Sequence, residues 1–558
     1  MCGIFGGFNI SLDEVKKGIN LINRGNDGIT IKDLGNKSYF AARRHTVKLS
    51  GKEEKLSDVS DQPYFSQDKK IALIFNGEFY NFDKYREDLI SKNIKFESEG
   101  DTEVLLRLYE LYGINFLRDK KIDSLYSLAV YDLNLNKIYI SRDWPGRIPI
   151  YYYHEKDKFI FSSELKAFRA IKDLSLNDPI ELEPGKILEY DVSSDKLNVI
   201  SSYDLQPYFS KNADNIMKLG EEMHKVLNES AKNRTMGDVP ICTMLSGGID
   251  SVLTTFYVLK NLNFNEISYQ PTSYVFRVKN FDSIDVKTAE IATDGFKEIG
   301  LKLKVIEADE QQIVRDMPKI VESFEMRQLK ALSFYPLPIY WYLAPEMHND
   351  GFKVTIGGHG VDELLGAYTA WKELKANHEV QIKLRSRKAF INNIYNNMLK
   401  RASIIFMNRG PIEARFPFLN HNVCEFMLGI DPKWLSLNKN NAEIMLKLIE
   451  DGNVKEDLDK IYKNLNLYLS NENSFYKDLD PEEILDIEKI FWKFPLIASS
   501  YFASKESFLS FKDVFRPKIR GQHGAGITNI EPHIVQNYSK YGATDTDIFK
   551  NISKEIFY

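Results

Sequence analysis

Cysteine is scarce: Cys2, Cys242 and Cys424 are the three in 558 residues, far apart and without metal-type spacing. Such usage fits a reducing compartment without disulfides. No apolar run approaches the roughly 20 residues that a membrane-spanning helix needs. The start lacks a basic segment followed by an apolar core, so no secretory signal is read there. A cytoplasmic protein with no membrane partner is expected. Net charge is also small, -5 from 74 Lys and Arg against 79 Asp and Glu. With no global basic excess, nucleic acid is not expected as a partner, and local lysine runs read as solvated faces. Internal repeats and low-complexity tracts are absent as well.

What remains is ordinary globular composition, 43% hydrophobic and 27% charged. The chain is too long for one compact core, so two or three domains are expected. Its most informative stretch is Leu245-Ser246-Gly247-Gly248-Ile249-Asp250-Ser251. An apolar, strand-like run from 239 to 245 precedes it, and a helix-compatible run from 252 to 262 follows. Strand, glycine turn and helix start together form an anion site: adjacent glycines let backbone N–H groups approach a phosphate, and the helix N-terminus adds unpaired donors. Asp250 would repel a phosphate unless a cation sat between them, so it reads as a magnesium ligand. No lysine follows Gly248, which excludes the usual mononucleotide loop. The stretch resembles the pyrophosphate loop of ATP pyrophosphatases. A serine- and glycine-rich turn ending a core strand is the bland alternative.

The chain opens Met1-Cys2-Gly3-Ile4-Phe5-Gly6-Gly7. Removal of the methionine would place the Cys2 thiol and a free α-amine on one residue. An amine titrating near 8 can serve as base for its own nucleophile. Further along come Arg44 after a strand-like segment, Asn76-Gly77-Glu78 interrupting the strand-like run 71–75, and Gly100-Asp101 before a helical run, 103–112. Singly, these read as a buried cysteine, a surface cation, a hairpin turn and a helix N-cap. In this order they resemble class II glutamine amidotransferase domains of the N-terminal-nucleophile hydrolase type. The resemblance implies that Arg44 and Asp101, with Glu78, bind glutamine, and that the Asn76 side chain and Gly77 N–H form an oxyanion hole. Segments 141–152 and 161–167 resemble the end of such a domain. The run Asn23-Arg24-Gly25-Asn26-Asp27-Gly28 departs from the family's H-R-G-P-D-G.

Glu183-Pro184-Gly185-Lys186 reads as a closing turn, and the chain to about Asn215 as a connector. Beyond the glycine loop, strand candidates at 273–278 and 303–307 flank a helix with Val286, Ala289, Ala292, Phe296 and Ile299 on one face. Strands alternating with helices imply a parallel sheet with ligands beyond the strand C-termini. Val275 and Phe276 are then an adenine wall or ordinary core. A further strand, 352–356, runs into Gly357-Gly358-His359-Gly360-Val361-Asp362-Glu363-Leu364-Leu365-Gly366, similar to the S-G-E-G-x-D-E-L-F-G-G segment of asparagine synthetases. Asp362 matches the acidic residue that shares magnesium with Asp250. Glu413-Ala414-Arg415-Phe416-Pro417-Phe418-Leu419-Asn420 resembles E-A-R-V-P-F-L-D, and Arg516-Pro517-Lys518 with Gln522, Gly524 and Gly526 resembles the segment carrying the catalytic lysine. Departures are His359 for a glutamate, Asn420 for an aspartate, and a longer helical stretch, 438–488.

The chain thus resembles the glutamine-hydrolysing asparagine synthetase family over nearly its whole length. That implies an α/β and α+β chain of two domains: an αββα N-terminal-nucleophile hydrolase sandwich at 1–200 and a doubly wound, parallel-sheet ATP pyrophosphatase domain at 215–558. The implied catalytic residues are Cys2, Asn76, Gly77, His359 and Lys518. Leu245, Ser246, Gly247, Gly248, Asp250, Ser251, Phe276, Gly357 and Gly358 would bind ATP, and Asp250 and Asp362 would hold Mg2+. The expected substrates are glutamine, ATP and a carboxylate, with aspartate leading, and a homodimer is a further expectation. Other carboxylates, on a sugar acid or natural-product scaffold, are the alternative that His359, Asn420 and the long stretch motivate. Intramolecular amide closure needs no ammonia, so Cys2 and its companions argue against it. A nucleotide- or glutamine-sensing protein without turnover is the remaining reading.

Overall fold

A computed structural model describes residues 2–47, 62–119, 121–201, 214–262, 267–327, 334–367, 400–456, 458–506 and 524–557. The N-terminal half contains two six-stranded antiparallel sheets. One runs, in spatial order, Ile180–Glu181, Tyr151–Glu155, Lys158–Ser162, Gly3–Phe8, Ser38–Arg44 and Gly28–Gly35. The other runs Lys196–Ser201, Lys186–Asp191, Lys137–Arg142, Ser124–Asp132, Ile71–Phe79 and Tyr64–Phe65. Alternation along each strand decides which side chains meet. Ile4, Phe40 and Phe161 of the first sheet share a core with Ile74, Ala129 and Ile140 of the second. Their neighbours Phe5, Ala41 and Ile160 turn outward under the helix Leu12–Leu21, which Ser11 and Glu14 start with a reciprocal capping box. Leu73 and Phe75 turn the other way, beneath the helices Phe82–Ser91 and Asp101–Tyr112. The result is the αββα sandwich of the N-terminal-nucleophile hydrolases.

One local reading changes. Asn76-Gly77 has hairpin composition, yet the strand Ile71–Phe79 runs straight through it, pairing Asn76 with Ser127 and Gly77 with Tyr126. A Cβ on Gly77 would lie 2.0 Å from the Leu125 carbonyl oxygen, so close strand approach, not a turn, requires glycine here.

The C-terminal half is built on a five-stranded parallel sheet in the order Lys302–Ala308, Thr272–Val278, Ile241–Met244, Val354–Ile356, Glu413–Arg415. The chain winds outward from the central strand in one direction and then in the other. Crossovers running in both directions from a central strand are the doubly wound arrangement, which covers both faces of a parallel sheet with helices. Between Ile241–Met244 and Val354–Ile356 the order reverses, and the loops leaving their C-terminal ends open a crevice. The stretch 438–488 is helical as read: Lys439–Asp451, Asp459–Ser470 and Glu472–Asp478 lead into Pro481–Trp492. Their Ile449, Leu465, Phe475 and Ile487 join the main core. No helix among the described residues is long and apolar enough to cross a membrane.

Candidate active sites

The first cavity lies in the N-terminal half, where Cys2 enters the strand Gly3–Phe8. Cys2, Arg44, Gly77, Glu78 and Asp101 line it together. Asn76 is fully buried beside them; its Nδ2 donates to Ser127 Oγ at 3.4 Å, and its Oδ1 has no partner among the described residues. The His45 N–H donates to Cys2 Sγ at 3.4 Å. Burial pushes the thiol up, while the positive N-terminus, that N–H and Arg44 draw it back. Asp101 opens the helix Asp101–Tyr112 and its Oδ2 accepts from Phe79 N–H at 3.1 Å, so one carboxylate ties helix to strand at the cavity wall. The altered loop 23–28 is well held: buried Arg24 pairs with Glu164 at 2.8 Å, and Asp27 accepts from Thr46 N–H at 2.7 Å.

Glu78 faces the other half of the molecule. Burial and the Glu413 carboxylate raise its carboxyl well above the usual range, and Arg415, 4.0 Å away, opposes them. Arg415 is fully buried, paired with Glu413 at 2.7 Å and donating to the Arg234 carbonyl at 2.8 Å. Arg234 in turn grips Asp123 of the sandwich through two bonds, at 2.5 and 2.7 Å. A continuous polar seam therefore joins the thiol cavity to the edge strand Glu413–Arg415. That strand hands its Arg415 carbonyl to Gly357 N–H at 3.0 Å.

The second cavity fills the crevice of the parallel sheet. Leu245, Ser246, Gly248, Asp250 and Ser251 line one side and Gly358, His359 and Asp362 the other. Gly248 caps the helix Ile249–Asn261, and Ser251 Oγ both accepts from Ser246 N–H at 3.2 Å and donates to the Gly248 carbonyl at 2.9 Å. Gly247 has φ +75° and packs on Thr288, whose hydroxyl donates to the Ser246 carbonyl at 2.9 Å. Gly358 is set by the facing loop: a Cβ there would lie 2.7 Å from the Asp250 backbone. Glycine at both positions thus comes from close approach within the crevice. Val275 and Phe276 are buried wall residues of this cavity, Phe276 stacked on Tyr342 at 5.7 Å. His359 Nε2 is bonded to Tyr340 OH at 2.9 Å, and its ring meets Phe416 edge-on at 4.9 Å.

Asn420 has a local explanation. Its Oδ1 accepts from the N–H groups of Asn422 and Val423 at 2.8 and 3.3 Å, capping the helix His421–Leu428. Asparagine and aspartate cap comparably, so the helix start accommodates either residue here. Lys518, with Arg516 and Gln522, lies outside the described residues.

Several cavity residues escaped the sequence reading. Asp285 lies in the wall with its carboxyl pushed up to about 7 by burial. Lys489 and Lys493, four apart at the end of the helix Pro481–Trp492, line it too. Lys493 contacts Asp250 Oδ2 and lies 2.9 Å from Asp362 Oδ1. Their i, i+4 spacing was available as a signal, but they sit just past a stretch read as an insertion.

Comparison with known proteins agrees with this arrangement. Residues 1–185 match the glutamine amidotransferase domain model and residues 222–404 the asparagine synthase model, together more than half of the chain. Asparagine synthetase B (glutamine-hydrolysing) of Escherichia coli is 27% identical over 456 residues, covering 78% of this chain and 76% of its own. The putative asparagine synthetase 1 of Methanocaldococcus jannaschii is 27% identical over 494 residues, 82% and 85% of the two chains. With an amidotransferase sandwich, a doubly wound sheet and both matches in the same order, the chain carries a glutamine amidotransferase domain followed by an asparagine synthase domain and is similar over most of its length to glutamine-hydrolysing asparagine synthetases.

Proposed function

We propose that this enzyme amidates aspartate to asparagine through an acyl-adenylate, releasing glutamate, AMP and pyrophosphate. The observation that carries the reading is the pairing on one chain of a thiol cavity and a glycine-loop crevice with converging carboxylates. The work divides between a glutaminase domain at 1–200 and a synthetase domain at 215–558. In the first, Cys2 Sγ attacks the glutamine amide carbon. Asn76 Nδ2 and the Gly77 N–H stabilise the oxyanion, Arg44, Glu78 and Asp101 hold the amino acid, and collapse expels ammonia. Water then hydrolyses the thioester to glutamate.

In the second domain a substrate carboxylate attacks the ATP α-phosphorus and pyrophosphate leaves. Ammonia attacks the acyl carbon, AMP departs, and His359, oriented by Tyr340, accepts the proton that the new amide nitrogen sheds. Ser246, Gly247, Gly248 and Ser251 cradle phosphate through backbone N–H and hydroxyl donors, with Leu245, Phe276, Gly357 and Gly358 around the nucleotide. Lys518 neutralises charge at phosphorus.

Asp250 and Asp362 fit a magnesium ion: both reach a single Nζ, that of Lys493, and Asp250 Oδ1 is buried without a hydrogen-bond partner among the described residues. Bound there, the ion would neutralise charge on the ATP phosphates.

A second reading, amidation of another carboxylate by the same chemistry, rests on His359 and its aromatic surroundings, Tyr340 and Phe416. Pyrophosphate release measured with ATP, Mg2+, glutamine and a panel of carboxylates separates the two. Release with aspartate supports the first; release with another acid and none with aspartate overturns it.

A further inference from the structure

Lys493 caps the C-terminus of the helix Pro481–Trp492 and is 4% exposed. Its Nζ touches Asp250, from the helix that follows the glycine loop, and Asp362, from the first turn of the facing short helix Val361–Leu365. These two carboxylates lie on opposite sides of the crevice, so the ammonium bridges its walls. Helix-terminal carbonyls near the lysine favour its positive charge. Two partly buried carboxylates held this close without a counter-charge repel each other, which gives this ammonium its purpose in the nucleotide-free protein.

The same position is where a divalent cation would have to sit to bridge both carboxylates and a polyphosphate. Two cations cannot share it, because each would repel the other at contact distance in a site shielded from water. A lysine ammonium on a flexible four-carbon stem can leave, whereas a guanidinium held by paired bonds leaves less readily. Lys493 also lines the nucleotide cavity, so a phosphate chain entering it comes within the stem's compass.

We propose that Lys493 is the resident counter-ion of the nucleotide site, holding Asp250 and Asp362 until the metal–ATP complex displaces its ammonium onto the polyphosphate. The inference rests on the reading of those aspartates as metal ligands. It makes metal binding conditional on nucleotide: the free enzyme excludes the ion, and ATP brings both the ion and a new partner for the lysine. Lys493 is therefore a positioning residue before ATP binds and a phosphate ligand afterwards.

Mn2+ binding, followed by electron paramagnetic resonance with and without ATP, tests this directly. Lys493→Met keeps the side-chain length and removes the charge, so nucleotide-free Mn2+ affinity should rise by on the order of tenfold or more. Should that variant fail to fold, Lys493→Arg keeps the charge and should weaken Mn2+ binding in the presence of ATP. Unchanged nucleotide-free affinity in a folded Lys493→Met, or Mn2+–ATP binding by Lys493→Arg as tight as in the wild type, overturns the proposal. Asp250→Asn and Asp362→Asn report separately on the underlying reading. If both bind Mn2+–ATP like the wild type, the aspartates are not ligands; if both lose it while the lysine variants leave metal binding unchanged, only the counter-ion role falls.

Discussion

Residues divide between those whose identity chemistry demands and those that packing demands. On the proposed mechanism Cys2 is of the first kind. Cys2→Ala should abolish glutamine-dependent amide formation and leave synthesis from ammonium salts, whereas Lys518→Ala should spare glutaminase and stop synthesis from either nitrogen source. Parallel assays of glutamate and pyrophosphate check both; loss of ammonium-dependent synthesis in Cys2→Ala would contradict the division of labour. Gly358 is of the second kind. A methyl group there meets the Asp250 backbone at 2.7 Å, and relieving such overpacking costs about 1–3 kcal/mol. Gly358→Ala should therefore raise the KM for ATP by pushing the facing loops apart, with glutaminase kinetics unaltered. Equal ATP kinetics in that variant would show that the crevice yields without cost.

At the scale of elements, short polar devices set where helices start and which loops face each other. Asn420 bonds the first turn of His421–Leu428, and loss of such a cap costs about 1 kcal/mol. Asn420→Ala should lower the unfolding free energy by that amount, and Asn420→Asp should restore it, with the preferred carboxylate substrate unchanged in both. A changed substrate preference in Asn420→Asp would return this residue to the specificity problem. Strand and helix positions were largely legible from hydrophobic period: Val286, Ala289, Ala292 and Phe296 are buried as read, but the helix ends at Gly295, and Ile299, in a short 3-10 turn beyond it, is only half-buried. Asn76-Gly77 was not, because turn composition and close strand approach both select glycine, and only the Leu125 carbonyl opposite distinguishes them.

For the whole molecule the decisive feature is the buried polar seam between the halves. Burial and the nearby N-terminus hold His45 neutral, its imidazole drawn down to about 3. Against the burial that would raise it, the N-terminus and Arg415 hold Glu413 charged, its carboxyl drawn down to about 2. An unfolded histidine takes up its proton near 6.5 and an unfolded glutamate near 4.3. Between about 3 and 6.5 the unfolded chain thus binds more protons at His45, and between about 2 and 4.3 more at Glu413. The stabilising contribution of His45 is complete above about 6.5 and is lost as pH falls toward 3; that of Glu413 is complete above about 4.3 and is lost toward 2. Urea midpoints should fall from pH 7 to pH 5, and His45→Gln should flatten that part of the profile. A midpoint independent of pH over this interval would remove His45 from the account.

The sequence by itself determined the two domain types, because each is marked by short runs that fold locally: Cys2 at a strand start, the glycine loop at a helix N-terminus, Gly358 to Asp362 after another strand. Tertiary structure alone decided what those runs meet. Nothing along the chain places Lys493 between Asp250 and Asp362, which lie 243 and 131 positions away in sequence, or sets Arg415 against Glu78. Such contacts arise where the strand order reverses and where the two halves bury a common surface. Charge partners that distant are selected by the packing of whole elements, and local pattern carries no record of it.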